Sequence, residues 1–296
     1  MTARIDDSAQ GQAALDEVLD LLELDGSGRR LVGRAQRWPE NHFYGGLLIA
    51  QAIVAASRVA PDGQLPITVT CNFAQAGDQR VPVRYDVEVS VMRRRTTFCR
   101  VTATQIGVIA TFDIVLGSWL SDDDGPSATS APSVRTRLTG PDKLEPSHVM
   151  TRRVAGHVDP WWREPRAIDI RHVEVPPFVA TRSDLDVSHV WARAAGKAPQ
   201  HPVTQVALLA YASDMTMAEP LFHRLHRPMH TRSTTVVTLS FALRLARRPT
   251  MAEWHLIENS CEWVAEGHAE CRSVIRDDGG RTIASASQVV VWRPND

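Results

Sequence analysis

The longest almost unbroken apolar segment of the chain runs from Val203 to Met217 and contains one carboxylate, Asp214. Because apolar residues lie on every side of this segment, the pattern predicts a helix that is buried all round. Asp214 shares a helical face with Ala207 and Ala210, so its side chain is predicted to lie inside the protein. A buried carboxylate is costly unless it has a partner or a use.

A second apolar helix of about 14 residues is predicted between the glycine pair at 45–46 and the turn residues at 61–63. A short amphipathic helix at about residues 12–25 and a strand at 30–36 precede it. The spacing of apolar residues then changes to every second position. Four β-rich segments follow, at residues 66–78, 81–94, 96–107 and 108–119. The first 119 residues therefore predict helices followed by an antiparallel meander.

The same order of elements occurs again in the second half of the chain. Residues 121–133 are polar and rich in Pro, Ser and Gly, which is typical of a linker, and residues 134–165 show no clear pattern. Further strands are predicted at 166–175 and 189–195, before the buried helix, and at 233–245, 253–267, 268–280 and 282–293, after it. This order indicates an internal duplication, with units at 1–119 and 166–296 joined by residues 120–165.

Composition narrows the class of partner. Hydrophobic residues make up 43% of the 296 positions, charged residues make up 23%, and the formal net charge is −1. Such a balance favours neither nucleic acid nor an anionic membrane as a partner. The acidic N-terminus does not resemble a signal peptide, and no run of 18 apolar residues occurs, so we expect no membrane span and a cytoplasmic location.

The sequence contains none of the common metal-binding and cofactor-binding motifs named below. Four cysteines lie far apart without a C-x-x-C pair, which predicts reduced thiols in the core. Several histidines show no ligand spacing, and three of them lie in a segment, residues 220–230, that is typical of a loop. G-x-S-x-G, G-x-G-x-x-G and the P-loop pattern do not occur. We therefore expect no metal site and no cofactor. The cysteines and histidines concerned are Cys71, Cys99, Cys261, Cys271, His42, His201, His223, His226 and His230.

A helix and meander that occur twice predict an α+β double hotdog, in which two antiparallel sheets each wrap around a central helix. Two segments then carry a more specific resemblance. Residues 43–56, FYGGLLIAQAIVAA, resemble the F-G-G-x-x-x-x-Q-A segment that opens the acyl-CoA thioesterase II family. Residues 207–216, ALLAYASDMT, resemble the L-x-Y-x-S-D-x segment of the same family. The resemblance covers nearly the whole chain and is weakest from about 120 to 165.

The resemblance implies hydrolysis of fatty acyl-CoA thioesters without a metal or a covalent acyl-enzyme. The family's second hotdog positions the attacking water with an Asp, a Thr and a Gln, which correspond to Asp214, Thr238 and Gln288. Asp214 would then act as a general base or water anchor, and the other two would orient the water. The alternatives are a backbone-capping carboxylate, an ordinary sheet threonine and a structural amide. Alternation in the strand does not decide which way Thr238 faces.

Two further groups are candidates for substrate contacts. Gly45 and Gly46 begin the first central helix, whose free N–H groups could stabilise the oxyanion, although they could also simply permit the turn. Arg93, Arg94 and Arg95 replace part of a family turn and could meet CoA phosphates, although a solvated turn is the alternative.

One departure from the family leaves other functions open. Many members carry an Asp-His pair where this chain has Ser240 and Phe241. The alternatives are an acyl-CoA binding protein with weak turnover and a hotdog hydratase or dehydratase of enoyl thioesters. The family resemblance also implies a homo-dimer or homo-tetramer.

Overall fold

The two predicted apolar helices form the centre of the fold. The computed structural model describes residues 7–39, 42–119, 138–154, 158–182, 184–229 and 234–295. Helix α2 (Gly45–Ser57) has 10 of its 13 residues buried, and α4 (Pro202–Thr216) has 11 of 15, so the prediction of two enclosed helices is confirmed. The other helices are α1 (Asp7–Leu22), α3 (Ser147–Arg153) and α5 (Glu219–Arg224).

The strands of each half follow the same plan. The first half contains β1 (Asp25–Ser27), β2 (Arg30–Gly33), β3 (Gln64–Phe73), β4 (Val83–Met92), β5 (Thr96–Thr104) and β6 (Val108–Ser118). The second half contains β7 (Ile168–His172), β8 (Val187–Ala194), β9 (Thr234–Leu245), β10 (His255–Ala265), β11 (His268–Arg276) and β12 (Thr282–Pro294). The predicted repetition of strand order is therefore present.

The strand order reads β1-β2-β4-β5-β6-β3-β9-β12-β11-β10-β8-β7, so the second half is the mirrored order of the first. Strands β3 and β9 pair antiparallel, with Cys71 opposite Phe241, and join the halves. Over the described ranges the strands thus form one continuous antiparallel sheet of 12 strands, and the expected division into two separate sheets is not confirmed. Pairing across the junction satisfies two strand edges that would otherwise be open.

Helices α2 and α4 approach each other closely at a glycine. A Cβ at Gly46 would lie 2.7 Å from the carbonyl oxygen of Tyr211 in α4. The hydroxyl of Tyr44, the residue at the N-cap position of α2, donates to that same carbonyl at 2.7 Å. Because Gly46 has no side chain, the start of α2 reaches the backbone of α4, and the two halves meet there.

The Gln of the first motif has a structural role. Gln51 is fully buried in α2, and its amide nitrogen donates to the carbonyls of Leu21 at 2.7 Å and Arg34 at 2.9 Å. Its carbonyl accepts from the Tyr85 hydroxyl at 2.7 Å. These bonds tie α1, the chain after β2, and β4 to the central helix.

Two parts of the chain differ from the sequence-based expectation. Residues 219–224 form α5, so the prediction of a loop there is wrong; Pro220 suits the first helical turn, and Leu221 and Phe222 are buried. The segment without a clear pattern contains α3 and two 3₁₀ turns, Pro141–Lys143 and Pro160–Arg163. The predicted linker residues 121–133 and His230 lie outside the described residues. All four cysteines are free and buried, as predicted.

Candidate active site

Asp214 lies on α4 with its carboxylate against the start of α2. The backbone N–H of Gly46 donates a hydrogen bond to it, and a Cβ at Gly45 would lie 2.9 Å from Oδ2. Burial raises the pKa of Asp214 to about 6, although the Gly46 hydrogen bond and nearby His42 act in the opposite direction. A carboxyl group with this pKa exchanges its proton near neutral pH, as a general base requires.

The carboxylate also caps α2 from the other half of the protein. The residue at the N-cap position of α2, Tyr44, makes no side-chain capping bond. Asp214 supplies a negative charge where the helix dipole is positive. The alternative interpretation of Asp214 as a backbone-capping group thus has geometric support, although the capped helix is α2 and not α4. The oxyanion candidates Gly45 and Gly46 lie beside Asp214, and the Gly46 N–H is already engaged by it.

Thr238 and Gln288 are brought together on neighbouring strands. The Thr238 hydroxyl donates to Oε1 of Gln288 at 3.3 Å. Gln288 is only 3% exposed, and Thr238 is half-buried. The amide is therefore partnered by a side chain, which is the arrangement that the water-site interpretation requires.

A β-bulge explains why Thr238 faces inward. Strict alternation from buried Phe241 would place Leu239 inside and Thr238 outside. The pairing with β12 instead shifts between Val289 and Val290, so that Thr238 pairs with Val290 and Leu239 is the extra residue. Leu239 is 38% exposed as a result. The bulge re-aims the threonine towards the interior.

Asp214 and the Thr238–Gln288 pair lie on the same side of the sheet, the inner face that the central helices cover. Burial, and then the charge of Asp214, raise the pKa of Cys71 on β3, which places Cys71 near the carboxylate. Cys71 pairs with Phe241, and Phe241 pairs with Gln288. Two strand spacings amount to about 10 Å between the Cys71 and Gln288 backbones. Among the described residues, no hydrogen bond joins Asp214 directly to Thr238 or Gln288.

The arginine run is not brought to this site. Arg93, Arg94 and Arg95 are exposed in the turn between β4 and β5. The amide of Gln64, the first residue of β3, donates to the carbonyl of Arg93 at 3.1 Å. Cys71 lies seven residues further along this strand, which corresponds to about 23 Å. A role for the run in contacting CoA phosphates stays a prediction.

An aromatic cluster beside the site was not anticipated. Trp38 stacks on Tyr44 with ring centroids 4.1 Å apart, and Trp161 lies 4.9 Å from Trp38. Trp162 lies 4.8 Å from Trp161, and Tyr211 lies 5.0 Å from Tyr44. Trp161 and Trp162 belong to the segment at 134–165, which has no periodic pattern that would reveal what they contact.

Two histidine–carboxylate pairs were also not predicted from the sequence. His172 contacts Glu219 at 2.8 Å through Nε2, and Ser147 Oγ at 2.9 Å through Nδ1. His189 contacts Glu174 at 2.8 Å and Glu258 at 3.5 Å. Both histidines come from the second half of the chain, and their partners are far away in sequence. Only the folded chain reveals these pairs.

In the described part of the chain, the His, Cys, Asp and Glu side chains form no group of three or more that could hold a metal ion. None of the described helices combines the length and the apolarity needed to cross a bilayer.

Comparison with solved structures defines the class of fold. The chain superposes on the TesB protein of Mycobacterium avium subspecies paratuberculosis with a TM-score of 0.76 and 24% identity, covering 95% of this chain and 100% of that one. A hotdog-fold protein from Alicyclobacillus acidocaldarius gives a TM-score of 0.73 at 21% identity, covering 95% and 99%. An acyl-CoA thioesterase II from Mycobacterium marinum superposes with a TM-score of 0.72 at 21% identity, covering 94% of this chain and 99% of that one. The fold is a hotdog fold.

Sequence comparison then identifies the family. The model of the acyl-CoA thioesterase N-terminal domain matches residues 34–117, and the model of the C-terminal domain matches residues 141–292. Acyl-CoA thioesterase 2 of Haemophilus influenzae is 24% identical over 295 residues, covering 93% of this chain and 96% of that protein. The chain belongs to the acyl-CoA thioesterase family and is a thioester hydrolase.

Proposed function

We propose that the chain hydrolyses acyl-CoA thioesters to a free fatty acid and CoA with a water directed by Asp214, Thr238 and Gln288. The observation that carries this proposal is the inward-facing Thr238–Gln288 hydrogen bond, on the same face as a carboxylate whose pKa is about 6. The three residues belong to three different elements of the second half, namely α4, β9 and β12.

Each residue has a role that its hydrogen bonds permit. Oε1 of Gln288 can only accept, so the Thr238 hydrogen is directed to it and the Thr238 oxygen is left to accept a hydrogen from water. The Gln288 amide nitrogen can donate to the water oxygen or to the carbonyl. Asp214 takes the second hydrogen of the water as its oxygen attacks the thioester carbonyl carbon. Collapse of the tetrahedral intermediate breaks the carbon–sulfur bond, and the thiolate of CoA recovers the proton.

The His172 pair described above does not supply the histidine that a hydratase needs. A hydratase needs a histidine with a nitrogen available to the substrate. Both ring nitrogens of His172 are engaged, by Glu219 and Ser147. The Ser147 hydroxyl also lies 2.8 Å from the carbonyl oxygen of Ile170, which can only accept, so its hydrogen is directed there and Ser147 is not activated as a nucleophile.

The presence of Phe241, where many family members carry a histidine, is the reason for the alternative of an acyl-CoA binding protein with weak turnover. Phe241 is 2% exposed and lies in the sheet between Cys71 and Gln288, at a position where many family members carry a polar side chain. Binding without thiol release would support this alternative, and loss of an enoyl absorbance would support hydration. Release of free thiol from a panel of acyl-CoA substrates would support hydrolysis.

Substitution of Thr238 tests the proposed site directly. Thr238→Val preserves the shape of the side chain and removes the hydroxyl, so we expect kcat to fall by about 10- to 100-fold. Thr238→Ser should retain most of the activity. Thr235→Val, at an exposed position of the same strand, is the matched control. Wild-type turnover in Thr238→Val, with the control also unchanged, would contradict the assignment.

We further propose the division into hotdog units at 1–119 and 166–296 with a connection at 120–165, a cytoplasmic location, and assembly into a homo-dimer or homo-tetramer. Four buried free thiols support a reducing compartment. The exposed apolar side chains of Val91, Met92 and Phe98 on β4 and β5 support an assembly surface. Sedimentation analysis tests the assembly, and a purely monomeric protein at micromolar concentration would contradict it.

A further inference from the structure

A separate cavity lies between α3, β7 and the end of α4. Its volume is about 40 Å³, which is room for a molecule of only a few heavy atoms. Charged and polar side chains make up much of its wall, and Met215, the residue after Asp214, also contributes. The polar lining residues that matter below are Ser147, Thr151, Arg166, His172 and Glu219.

Arg166, one of the residues that line this cavity, has an unused hydrogen-bonding edge. Its guanidinium carbon lies 3.2 Å from the ring centroid of Trp161. Both Nε and Nη2 are enclosed and have no hydrogen-bond partner in the described part of the chain. In this same protein the Nε and Nη2 atoms of Arg100 hold both oxygens of Asp113, at 2.9 and 3.1 Å. The free edge of Arg166 therefore has the geometry that binds a carboxylate through two hydrogen bonds.

Glu219, another residue that lines the cavity, has an unused acceptor. The residue is 2% exposed, and its Oε1 is paired with His172 at 2.8 Å. Oε2 is enclosed and has no partner among the residues described. The neighbouring hydroxyls are used, because Thr151 donates to the carbonyl of Ser147 and Ser147 donates to Ile170. An enclosed polar group without a partner is costly, so both unsatisfied groups favour a polar ligand.

We propose that this cavity binds a small carboxylate that also carries a hydroxyl or ammonium donor, with the carboxylate on the Nε and Nη2 edge of Arg166 and the donor on Oε2 of Glu219. Short hydroxy acids and small amino acids have this chemistry and this size. Burial lowers the pKa of Arg166 to about 9, and a bound anion would offset that cost of burying the cation. The site is independent of the proposed hydrolysis, so its test does not use turnover.

Binding of glycine and glycolate to the full-length protein tests the site. Calorimetry gives the affinity, and tryptophan fluorescence reports on Trp161 and Trp162, which pack against Arg166. We expect both probes to bind more tightly than acetate, which lacks the donor, and methylammonium, which lacks the carboxylate, not to bind. Failure of both glycine and glycolate to bind the folded wild-type protein would overturn the proposal.

Three variants separate a specific site from a general charge effect. Arg166→Lys keeps the charge and loses the paired geometry, so affinity should fall by about tenfold. Arg166→Met should abolish binding, and the Lys variant keeps the test valid if the Met variant does not fold. Glu219→Gln retains an oxygen for His172 and should remove the preference for glycine over acetate. The control is Arg153→Met on exposed α3 surface; equal weakening in the control would overturn the proposal.

Discussion

Replacing Asp214 with asparagine should abolish turnover and at the same time stabilise the protein. Asparagine resembles the protonated acid and can still accept from the Gly46 N–H, so we expect the fold to be retained. The folded protein raises the pKa of Asp214 from 3.8 to about 6, and at 1.36 kcal/mol per pKa unit the ionised form costs up to about 3 kcal/mol. This is an upper value, because Asp214 keeps some contact with solvent.

The dependence on pH follows from the direction of this shift. Below the unfolded pKa of 3.8, Asp214 is protonated in both states and costs nothing. As the pH rises through the interval from 3.8 to about 6, the unfolded chain releases its proton first, and the wild-type protein loses stability. The advantage of Asp214→Asn should therefore be absent near pH 3, about 1.6 kcal/mol at pH 5 and complete above pH 7.

Urea unfolding at several pH values measures the free energy of unfolding, and thiol release measures kcat. The asparagine variant should lose at least about 100-fold in kcat. Asp62→Asn, in an exposed turn, is the control and should change neither quantity. A variant that is no more stable than wild type at pH 8 would refute the burial argument, and one with wild-type kcat would refute the assignment of the base.

Further predictions concern the geometry around the site. Deleting Leu239 should remove the bulge but leave Thr238 two positions before Phe241 and opposite Val290, so Thr238 should stay inward and kcat should fall much less than on loss of its hydroxyl. Leu239→Ala should be silent in the thiol-release assay. Gly46→Ala would place a Cβ 2.7 Å from a backbone carbonyl of α4, so thermal unfolding should show a loss of about 1–3 kcal/mol. Gly45→Ala meets the movable carboxylate of Asp214 and should lower kcat more than stability. The pH–rate profile should fall below about pH 6 if Asp214 must be ionised.

The sequence predicted those parts of the fold that depend on local pattern. Apolar runs predicted α2 and α4, and alternation predicted most of the long strands. The helix α5 was missed because its Pro and His residues are typical of loops, while its stability comes from burying Leu221 and Phe222. The pairing of β3 with β9 was also missed, because strand pairing between distant segments depends on the tertiary fold and leaves no local signal.

The candidate site was predictable in its residue types but not in its geometry. A β-bulge is one extra residue, and nothing in the letters around Leu239 distinguishes it from continuous alternation. The direction in which the Thr238 side chain points therefore depends on the pairing of β9 with β12. The Arg166 and Glu219 cavity could not be predicted at all, since it forms where a segment without periodic pattern packs against the end of α4.

The contact between the two halves of the chain builds the environment of the candidate base, Asp214. Asp214 comes from the second half, whereas the N–H that holds its carboxylate belongs to Gly46 of the first half. The strands that carry Cys71 and Phe241 meet at the junction of the sheet, directly beside the Thr238–Gln288 pair. Because the helix end and the sheet junction come from both halves, neither half alone supplies the complete environment of the carboxylate. The burial that raises the pKa of Asp214 is therefore a product of the association of the two halves, and any change that loosens this association should lower that pKa towards 3.8.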